Sequence, residues 1–210
     1  MNPIKIAVLI SGHGRGSNMQ AIIDACKDGR INGQVAIVIG VRNEAPAIER
    51  AQAAGVETLI LNPKEFPSVD DYDTALFDAL TSRGIDLICL AGYMRILGDS
   101  IVKKYRNRIM NTHPALIPMF CGKGMYGIHV MNAAIERGVK VSGCTVHFVD
   151  EEYDNGPIIL QTVVPVLDDD TPESLWARIL PEEHKTYVKA VQLFADGRLE
   201  VVNRRVIIKE

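Results

Sequence analysis

The sequence predicts an α/β fold with a mostly parallel, twisted sheet, helices on both of its faces and an antiparallel edge in the C-terminal part. In the first half of the 210-residue chain, short runs rich in Val and Ile alternate with segments of helical periodicity. This alternation is typical of a parallel sheet that is covered on both faces. After residue 140, two longer strand-like runs are separated only by an acidic loop, and strands joined so directly pair antiparallel. The expected architecture is therefore Rossmann-like.

The first half supplies strands and helices in strict alternation. The strand-like runs are IKIAVLIS, QVAIVIGV, residues 57–61 and residues 86–92, and the helical segments are NMQAIIDACKDG, APAIERAQAAG and residues 68–82. In the helix at 68–82, four apolar residues recur at three- and four-residue steps, which predicts a stripe that faces the sheet. We expect core positions for these four residues, which are Val69, Tyr72, Leu76 and Leu80.

The second half is predicted to form a hairpin-like pair of strands and a final helix. The strand-like runs are KVSGCTVHFV and GPIILQTVVPV, joined by DEEYDN. The helix is expected to begin with Thr171 as its cap and Pro172 at its first position. Pro181 should break or kink this helix, because proline has no N–H group to donate to the preceding turn. Gly197 should end the helical pattern that resumes after it.

Composition narrows the class of protein. No linker is apparent, so we expect one domain over residues 1–210. The net charge is −3 and the basic residues are scattered, which argues against a nucleic-acid partner and favours a small-molecule one. The four cysteines are far apart, as expected for reduced thiols without a zinc site. No run approaches the roughly 20 apolar residues of a membrane span, so we expect a cytoplasmic protein.

A glycine-rich turn, SGHGRGSN at residues 11–18, lies between the first strand and the first helix. Glycines allow a sharp turn, and the N–H groups at a helix start can bind an anion. The spacing of Gly12, Gly14 and Gly16 does not match a dinucleotide fingerprint, and Arg42 stands where a ribose-binding acid would be needed. The GK[ST] ending of the Walker phosphate-binding motif is also absent. The turn therefore favours a phosphate monoester over NAD, with a simple strand-to-helix connection as the alternative.

The run NTHPALIP, residues 111–118, carries the clearest catalytic signal. Pro114 biases His113 toward extended backbone, and residues two apart in an extended chain point to the same side. Asn111 and His113 would therefore present an amide donor and a titratable imidazole together. An acyl-transfer site needs such a donor for the developing oxyanion and such an acid. A loop with a capping Asn and a solvated His is the alternative.

The acidic loop DEEYDNG, residues 150–156, resembles a calcium loop only superficially. Asn155 occupies the position of the turn glycine and Gln161 that of the bidentate Glu, so we expect no metal there. Asp154 beside a histidine would instead raise the pKa of the imidazole. A carboxylate that bonds its own turn is the alternative. His147 is predicted to be a core histidine, and His184 could be either a cap or a substrate contact.

Five motifs together resemble one family. SGHGRGSN, LAGYMRIL, NTHPALIP, HFVDEEYDNGPI and EEH occur in an order that resembles the folate-dependent phosphoribosylglycinamide formyltransferases. The resemblance implies the formyltransferase fold and transfer of a formyl group from 10-formyltetrahydrofolate to the glycine amine of glycinamide ribonucleotide, in de novo purine (IMP) biosynthesis. It also implies a phosphate- or nucleotide-binding half at about 1–100 and a folate-binding and catalytic half at about 101–210.

The resemblance further implies individual roles. Asn111, His113 and Asp154 would be the catalytic residues. Gly16, Ser17 and Asn18 would bind the substrate phosphate and Glu183 its ribose. Met94, Arg95, Ile96 and Leu97, with Asn111, would bind the folate co-substrate. The resemblance implies no metal. With the composition, we expect small-molecule substrates, no nucleic acid and no membrane, and a monomer or homodimer.

Three departures from the family pattern stand out. The phosphate turn is two residues longer than usual, so Arg15 could add a phosphate contact. Residues 119–128 form a longer loop than usual, just before His129. Val69 stands where the family often has an Arg for the folate, a contact that Lys64 could supply instead.

The resemblance leaves other functions to be tested. Formyltetrahydrofolate deformylase is the alternative within the same superfamily. An NADP-dependent oxidoreductase that uses the glycine turn and Arg42, and a non-catalytic nucleotide-binding module, are alternatives from other classes.

Overall fold

A computed structural model describes residues 2–11, 14–42 and 45–210. Gly12 and His13 of the glycine-rich turn therefore lie outside the described residues. The strands are β1 Ile4–Ile10, β2 Gly33–Gly40, β3 Thr58–Ile60, β4 Leu87–Leu90, β5 Ile109–His113, β6 Val141–Phe148, β7 Ile158–Pro165, β8 Leu199–Val202 and β9 Arg205–Ile208. The helices are α1 Ser17–Lys27, α2 Pro46–Ala53, α3 Val69–Thr81, α4 Asp99–Lys104, α5 Ile128–Arg137 and α6 Pro172–Ala195, and a 3-10 turn spans Pro63–Glu65.

Among the described residues, the strands form one nine-stranded sheet in the order β3-β2-β1-β4-β5-β6-β7-β9-β8. The first five strands in this order, from β3 through β2, β1 and β4 to β5, pair in parallel. Strand β6 is antiparallel to both β5 and β7, and β9 pairs in parallel with β7 and antiparallel with β8. The mixed sheet with a C-terminal antiparallel part is thereby confirmed, and the unpredicted β8–β9 hairpin extends it beyond β7.

Helices cover both faces of the sheet, as predicted. Successive residues of β1 point to opposite faces, so Ile6 and Val8 pack with α1, α2 and α6. Ala7 and Leu9 pack with α3 and α4 on the other face. All four residues are fully buried. The continuous apolar run of β1 is therefore explained by its two covered faces.

The predicted stripe of α3 is confirmed except at its start. Ser68 caps this helix through a hydrogen bond from the Asp71 backbone N–H. Tyr72, Leu76 and Leu80 are buried, but Val69 is 63% exposed. The prediction of a core position for Val69 was therefore wrong. This residue is the first of the helix, where the apolar face is not yet covered by the sheet.

The predicted break at Pro181 was also wrong, since α6 runs unbroken through it for 24 residues. A proline inside a helix costs about 3 kcal/mol. Burial of a large apolar side chain contributes about 1.5–3 kcal/mol, and the inner face of α6 buries Leu175, Ile179 and Tyr187 among others. Several such residues offset one proline. The predicted start is confirmed, because Thr171 accepts a hydrogen bond from the Ser174 backbone N–H.

Candidate active site

The candidate site lies where β1, β4 and β5 end. Ser11 directly follows β1, residues 91–97 follow β4, and Asn111 and His113 are among the last residues of β5. The chain continues from β1 to strands on one side and returns to β4 on the other. Ligands of open α/β sheets bind at such a switch point, outside the carboxyl ends of the strands. The topology thus brings three of the predicted segments to one edge.

Asn111 and His113 point to the same side, as the sequence predicts for β5. The carboxylate of Asp154 reaches both residues from the β6–β7 loop. Asn111 Nδ2 lies 3.4 Å from Asp154 Oδ1, and His113 Nδ1 lies 3.7 Å from Asp154 Oδ2. The structure therefore brings together three residues that are separated by as many as 43 positions in the chain.

Local backbone geometry places Asp154 there. Its φ is 50°, in the left-handed region that Asp adopts more readily than most residues do. Gly156 follows at a point where an added Cβ would lie 1.8 Å from the Phe148 carbonyl oxygen. The loop can close this tightly on β6 only with glycine at that position. Asp154 Oδ2 also accepts a 2.9 Å hydrogen bond from the Gly122 backbone N–H.

The hydrogen bonds of His113 define the roles of its two ring nitrogens. Nε2 lies 2.8 Å from the Phe120 carbonyl oxygen, so Nε2 carries a hydrogen because a carbonyl can only accept. Nδ1 is then the nitrogen that takes up and releases the second proton, and it faces Asp154. A fixed partner on one nitrogen sets the tautomer and the orientation of the ring. Nδ1 is therefore the nitrogen of His113 that can titrate beside Asp154.

Burial controls the acidity of this pair. Desolvation lowers the pKa of His113 below its ordinary value, and the charge of Asp154 opposes this shift without overcoming it. Asp154 therefore raises the pKa, as expected, but the net pKa is lowered because His113 is 4% exposed. Burial alone would raise the pKa of Asp154. The His147 imidazole, the Gly122 N–H and the charge of His113 together lower it below its ordinary value, which keeps Asp154 ionised.

His147 is a core histidine, as predicted, but it also contacts the site. It is 2% exposed, and its Nδ1 donates to the Phe148 carbonyl over 2.8 Å. Its Nε2 lies 3.4 Å from Asn111 Nδ2 and 3.6 Å from Asp154 Oδ1. His147 Nε2 therefore lies within reach of both Asn111 and Asp154. The contact arises because Asn111 and His147 are direct cross-strand partners, a register that the sequence does not reveal.

The glycine-rich turn leads directly into α1. Gly16 precedes the helix with a φ of 70°, and a Cβ there would lie 2.6 Å from that of Ala47. Only glycine fits both restrictions. Ser17 and Asn18 begin the helix, so their N–H groups belong to the first turn, which lacks partners within the helix. This arrangement is suited to binding an anion.

Glu183 lies beside this turn. It is 6% exposed on α6, and its Oε1 accepts hydrogen bonds of 3.1 Å from Asn18 Nδ2 and from Thr112 Oγ1. Burial raises the pKa of Glu183, although both hydrogen bonds oppose the shift. Asn18 Oδ1 is buried and has no partner among the described residues. His184, next to Glu183, lies inside α6 and is therefore not a cap.

The segment after β4 offers an apolar surface and free donors. Met94 and Ile96 are 47% and 60% exposed, whereas Leu97 is buried, so only the backbone of Leu97 can face a ligand. The Arg95 guanidinium lies 5.0 Å from the centre of the Tyr72 ring. Its Nε is buried without a partner in the described part of the chain. The Met94 N–H donates to Ser11 Oγ over 2.6 Å.

The described residues contain no group of three or more His, Cys, Asp or Glu side chains arranged to hold a metal ion. None of their helices is both long enough and apolar enough to cross a membrane.

Known proteins resemble this chain in sequence and in fold. The sequence profile of the formyl transferase family matches residues 4–191. Phosphoribosylglycinamide formyltransferase of Escherichia coli (strain K12) is 41% identical over 198 residues, which cover 94% of this chain and 90% of that protein. The trifunctional purine biosynthetic protein adenosine-3 of Drosophila melanogaster is 43% identical, and the match covers 92% of this chain and 14% of that larger protein.

A solved structure is similarly close. Glycinamide ribonucleotide transformylase 1 from Symbiobacterium toebii superposes with a TM-score of 0.92 at 50% identity, and the match covers 99% of this chain and 95% of that one. The chain therefore belongs to the formyl transferase family and, within it, to the phosphoribosylglycinamide formyltransferases.

Proposed function

We propose that this enzyme transfers the formyl group of 10-formyltetrahydrofolate to the glycine amine of glycinamide ribonucleotide, in de novo purine biosynthesis, with residues 1–210 acting as one formyltransferase domain. The observation that carries the proposal is the convergence of Asn111, His113 and Asp154, between a helix start suited to phosphate and an exposed apolar segment. The names of the relatives at 41% and 50% identity support the same reaction.

The ribonucleotide fits the α1 side of the site. The N–H groups of Gly16, Ser17 and Asn18 would hold its phosphate, since helix N-termini favour anions. Glu183 would accept hydrogen bonds from the ribose hydroxyls. The partnerless Asn18 Oδ1 supports this placement, because a buried acceptor without a hydrogen bond costs about 1–3 kcal/mol and a hydroxyl donor would remove that cost.

The folate fits the segment that follows β4. The side chains of Met94 and Ile96 are exposed, as an apolar contact surface would be. The backbone groups of Arg95 and Leu97 would bond the heterocycle, and the Arg95 Nε, which is partnerless among the described residues, supports a polar ligand there. Bound folate would supply the formyl carbon as the electrophile. Asn111, at the end of the neighbouring strand β5, would complete the pocket.

Asn111 and His113 stabilise the negative charge that develops on the formyl oxygen. Asn111 donates from Nδ2, whose contacts in this structure are both 3.4 Å long and are therefore readily exchanged for a shorter one. Protonated His113 donates from Nδ1, while the Phe120 carbonyl holds the other side of the ring. Donors fixed in this way need no reorganisation during the reaction.

Asp154 makes the charged form of His113 available despite burial. Its own low pKa keeps a negative charge 3.7 Å from Nδ1. An ionised carboxylate stabilises an adjacent imidazolium. The attacking amine loses a proton as its bond to the formyl carbon forms, and the departing nitrogen of the folate takes up a proton as its bond to that carbon breaks, so the transfer releases no net proton.

An absorbance assay of 10-formyltetrahydrofolate consumption, with and without glycinamide ribonucleotide, tests the function. Consumption that requires the ribonucleotide, and that His113→Ala largely abolishes, is the expected result. Consumption without the ribonucleotide would identify a deformylase instead. No consumption in either case would overturn the proposal in favour of a binding module or an oxidoreductase.

A further inference from the structure

The β8–β9 hairpin contacts the loop that carries Asp154. The hairpin joins the rest of the sheet at the start of β7, through the pairing of Arg205. Its turn, residues 203–204, therefore lies beside the loop at 150–156, which comes just before β7. The hairpin follows residue 191, where the match to the formyl transferase profile ends. The loop is thus contacted by a segment that the family match does not cover.

Arg204, in the turn of the hairpin, makes this contact through two oxygens of Asn155. Its Nη2 donates to the Asn155 backbone carbonyl and lies 3.2 Å from Asn155 Oδ1. Nη2 carries two hydrogens and can therefore bond both oxygens. On the other side, Asn155 Nδ2 donates to Asp150 Oδ2 over 3.2 Å. A flipped amide would turn its NH₂ group toward the guanidinium and its oxygen toward the carboxylate, so the two charged neighbours fix one orientation of Asn155.

Asn155 directly follows Asp154, whose carboxylate lies beside His113. The φ of Asp154 is 50°, and a residue other than glycine keeps such a backbone only where surrounding contacts hold it. The Gly122 N–H holds the carboxylate from one side. Arg204 holds the next residue through its carbonyl and its amide. Hydrogen bonds from an ionised donor are stronger than those between neutral groups, so this contact can fix the loop although Arg204 is exposed.

We propose that Arg204 is a positioning residue for Asp154: by holding Asn155, it keeps the Asp154 carboxylate within reach of His113. The proposal rests on the function proposed above, in which Asp154 stabilises protonated His113. Arg204 acts only through Asp154 and touches no reacting group. Its removal should loosen the loop at 150–156 and lengthen the distance between the Asp154 carboxylate and the His113 ring. The attraction between the two side chains would weaken, because it falls with their separation.

Initial rates of 10-formyltetrahydrofolate consumption, at saturating glycinamide ribonucleotide, test the proposal in Arg204→Met. Methionine is also long and unbranched but has no N–H group to donate. Its kcat should fall by roughly tenfold, because a misplacement of about 1 Å can cost about a hundredfold and the Gly122 bond still restrains Asp154 in part.

Arg205→Met is the matched control. It removes the same charge from the next residue of the hairpin. Arg205 is also exposed, and its side chain makes no hydrogen bond or ion pair among the described residues. The kcat of this variant should stay close to that of the wild type.

Two further readouts separate positioning from a general loss of structure. Asp154 raises the pKa of His113, whereas burial and His147 lower it. If Asp154 moves away, the pKa of His113 falls further, so the fall in kcat with rising pH should move to lower pH in Arg204→Met. In the Asp154→Asn background, Arg204→Met should lower kcat by less than about threefold, because a residue that acts through a lost group has little left to change.

The proposal would be overturned if Arg204→Met stays within about threefold of the wild-type kcat, or if its loss is fully additive to that of Asp154→Asn. An unmoved pH profile, or an equal loss in Arg205→Met, would also overturn it. If Arg204→Met does not fold by circular dichroism, Arg204→Gln replaces it, since its shorter side chain cannot span the same distance; the same results are expected, and the same outcomes would overturn the proposal. Ribonucleotide-dependent turnover of the wild type tests the proposed function itself, so an active wild type with an insensitive Arg204→Met refutes only the role of Arg204.

Discussion

Replacement of Asp154 by Asn tests the electrostatic core of the mechanism. Asn keeps the size of the side chain and can still accept the Gly122 N–H bond, but it removes the negative charge 3.7 Å from His113 Nδ1. Two unit charges about 4 Å apart interact by about 4 kcal/mol at the effective dielectric constant of 20 that describes protein sites. Both side chains are at most 12% exposed, so solvent screens this attraction weakly.

This magnitude sets the expected loss of rate. Most of this attraction stabilises protonated His113. Its loss in Asp154→Asn should lower kcat by roughly 100- to 1,000-fold, because 1.4 kcal/mol corresponds to about tenfold. The KM for either substrate should change much less. Initial rates of folate consumption at saturating ribonucleotide measure the effect. Glu152→Gln is the control, because it removes one charge from the same loop at an exposed position.

The pH profile provides a second readout. His113 must be protonated to act as the acid, so the rate falls as pH rises through its pKa. Burial already lowers that pKa, and Asp154 partly restores it. Loss of Asp154 should therefore move the fall in kcat to lower pH. A kcat within threefold of the wild type, or an unshifted profile, would refute the reasoning.

Three further predictions concern neighbouring positions. Asn111→Ala should slow turnover by roughly a hundredfold or more, because loss of one oxyanion donor costs about 3 kcal/mol; a rate within a few-fold of wild type would exclude that role. Gly16→Ala should weaken ribonucleotide binding and lower the urea midpoint, because its Cβ would meet Ala47 at a positive φ; an unchanged Kd and midpoint would contradict this. Glu183→Gln should raise the KM for the ribonucleotide. The pKa of Glu183 is raised in the folded protein, so the free energy of unfolding of the wild type falls as pH rises from the unfolded-state pKa to the folded-state pKa. Glu183→Gln should reduce this dependence of stability on pH. An equal slope of unfolding free energy against pH in both proteins would be evidence against it.

The sequence predicted those elements whose signals are local. The buried strands β1, β2 and β4 stand out as apolar runs, and the helix stripe of Tyr72, Leu76 and Leu80 is periodic. The six residues of α4 are too few to show a period. The β8–β9 hairpin escaped prediction because its turn uses Asn203 at a φ of 56°, followed by Arg204 rather than by the glycine that marks such turns.

Within the site, the same division between local and distant information holds. The spacing of Asn111 and His113 in an extended strand was enough to place them side by side. The contact of Asn111 with His147 depends on strand register, and the bond between Ser11 and Met94 depends on the packing of two loops. The raising effect of Asp154 on the pKa of His113 was predicted, but the larger lowering effect of burial was not, because the sequence does not show the depth of burial.

The alternation of β5 has a consequence for how this enzyme tolerates insertions and deletions. Asn111 and His113 face Asp154, while Thr112 between them bonds Glu183 beside the glycine-rich turn. A shift of β5 by one residue would send each of these side chains to the opposite face of the sheet. A single inserted residue before Ile109 would therefore misplace the chemistry and the nucleotide contact together, even in a protein that still folds. The register of β5 therefore positions the side chains on both faces of the strand at the same time.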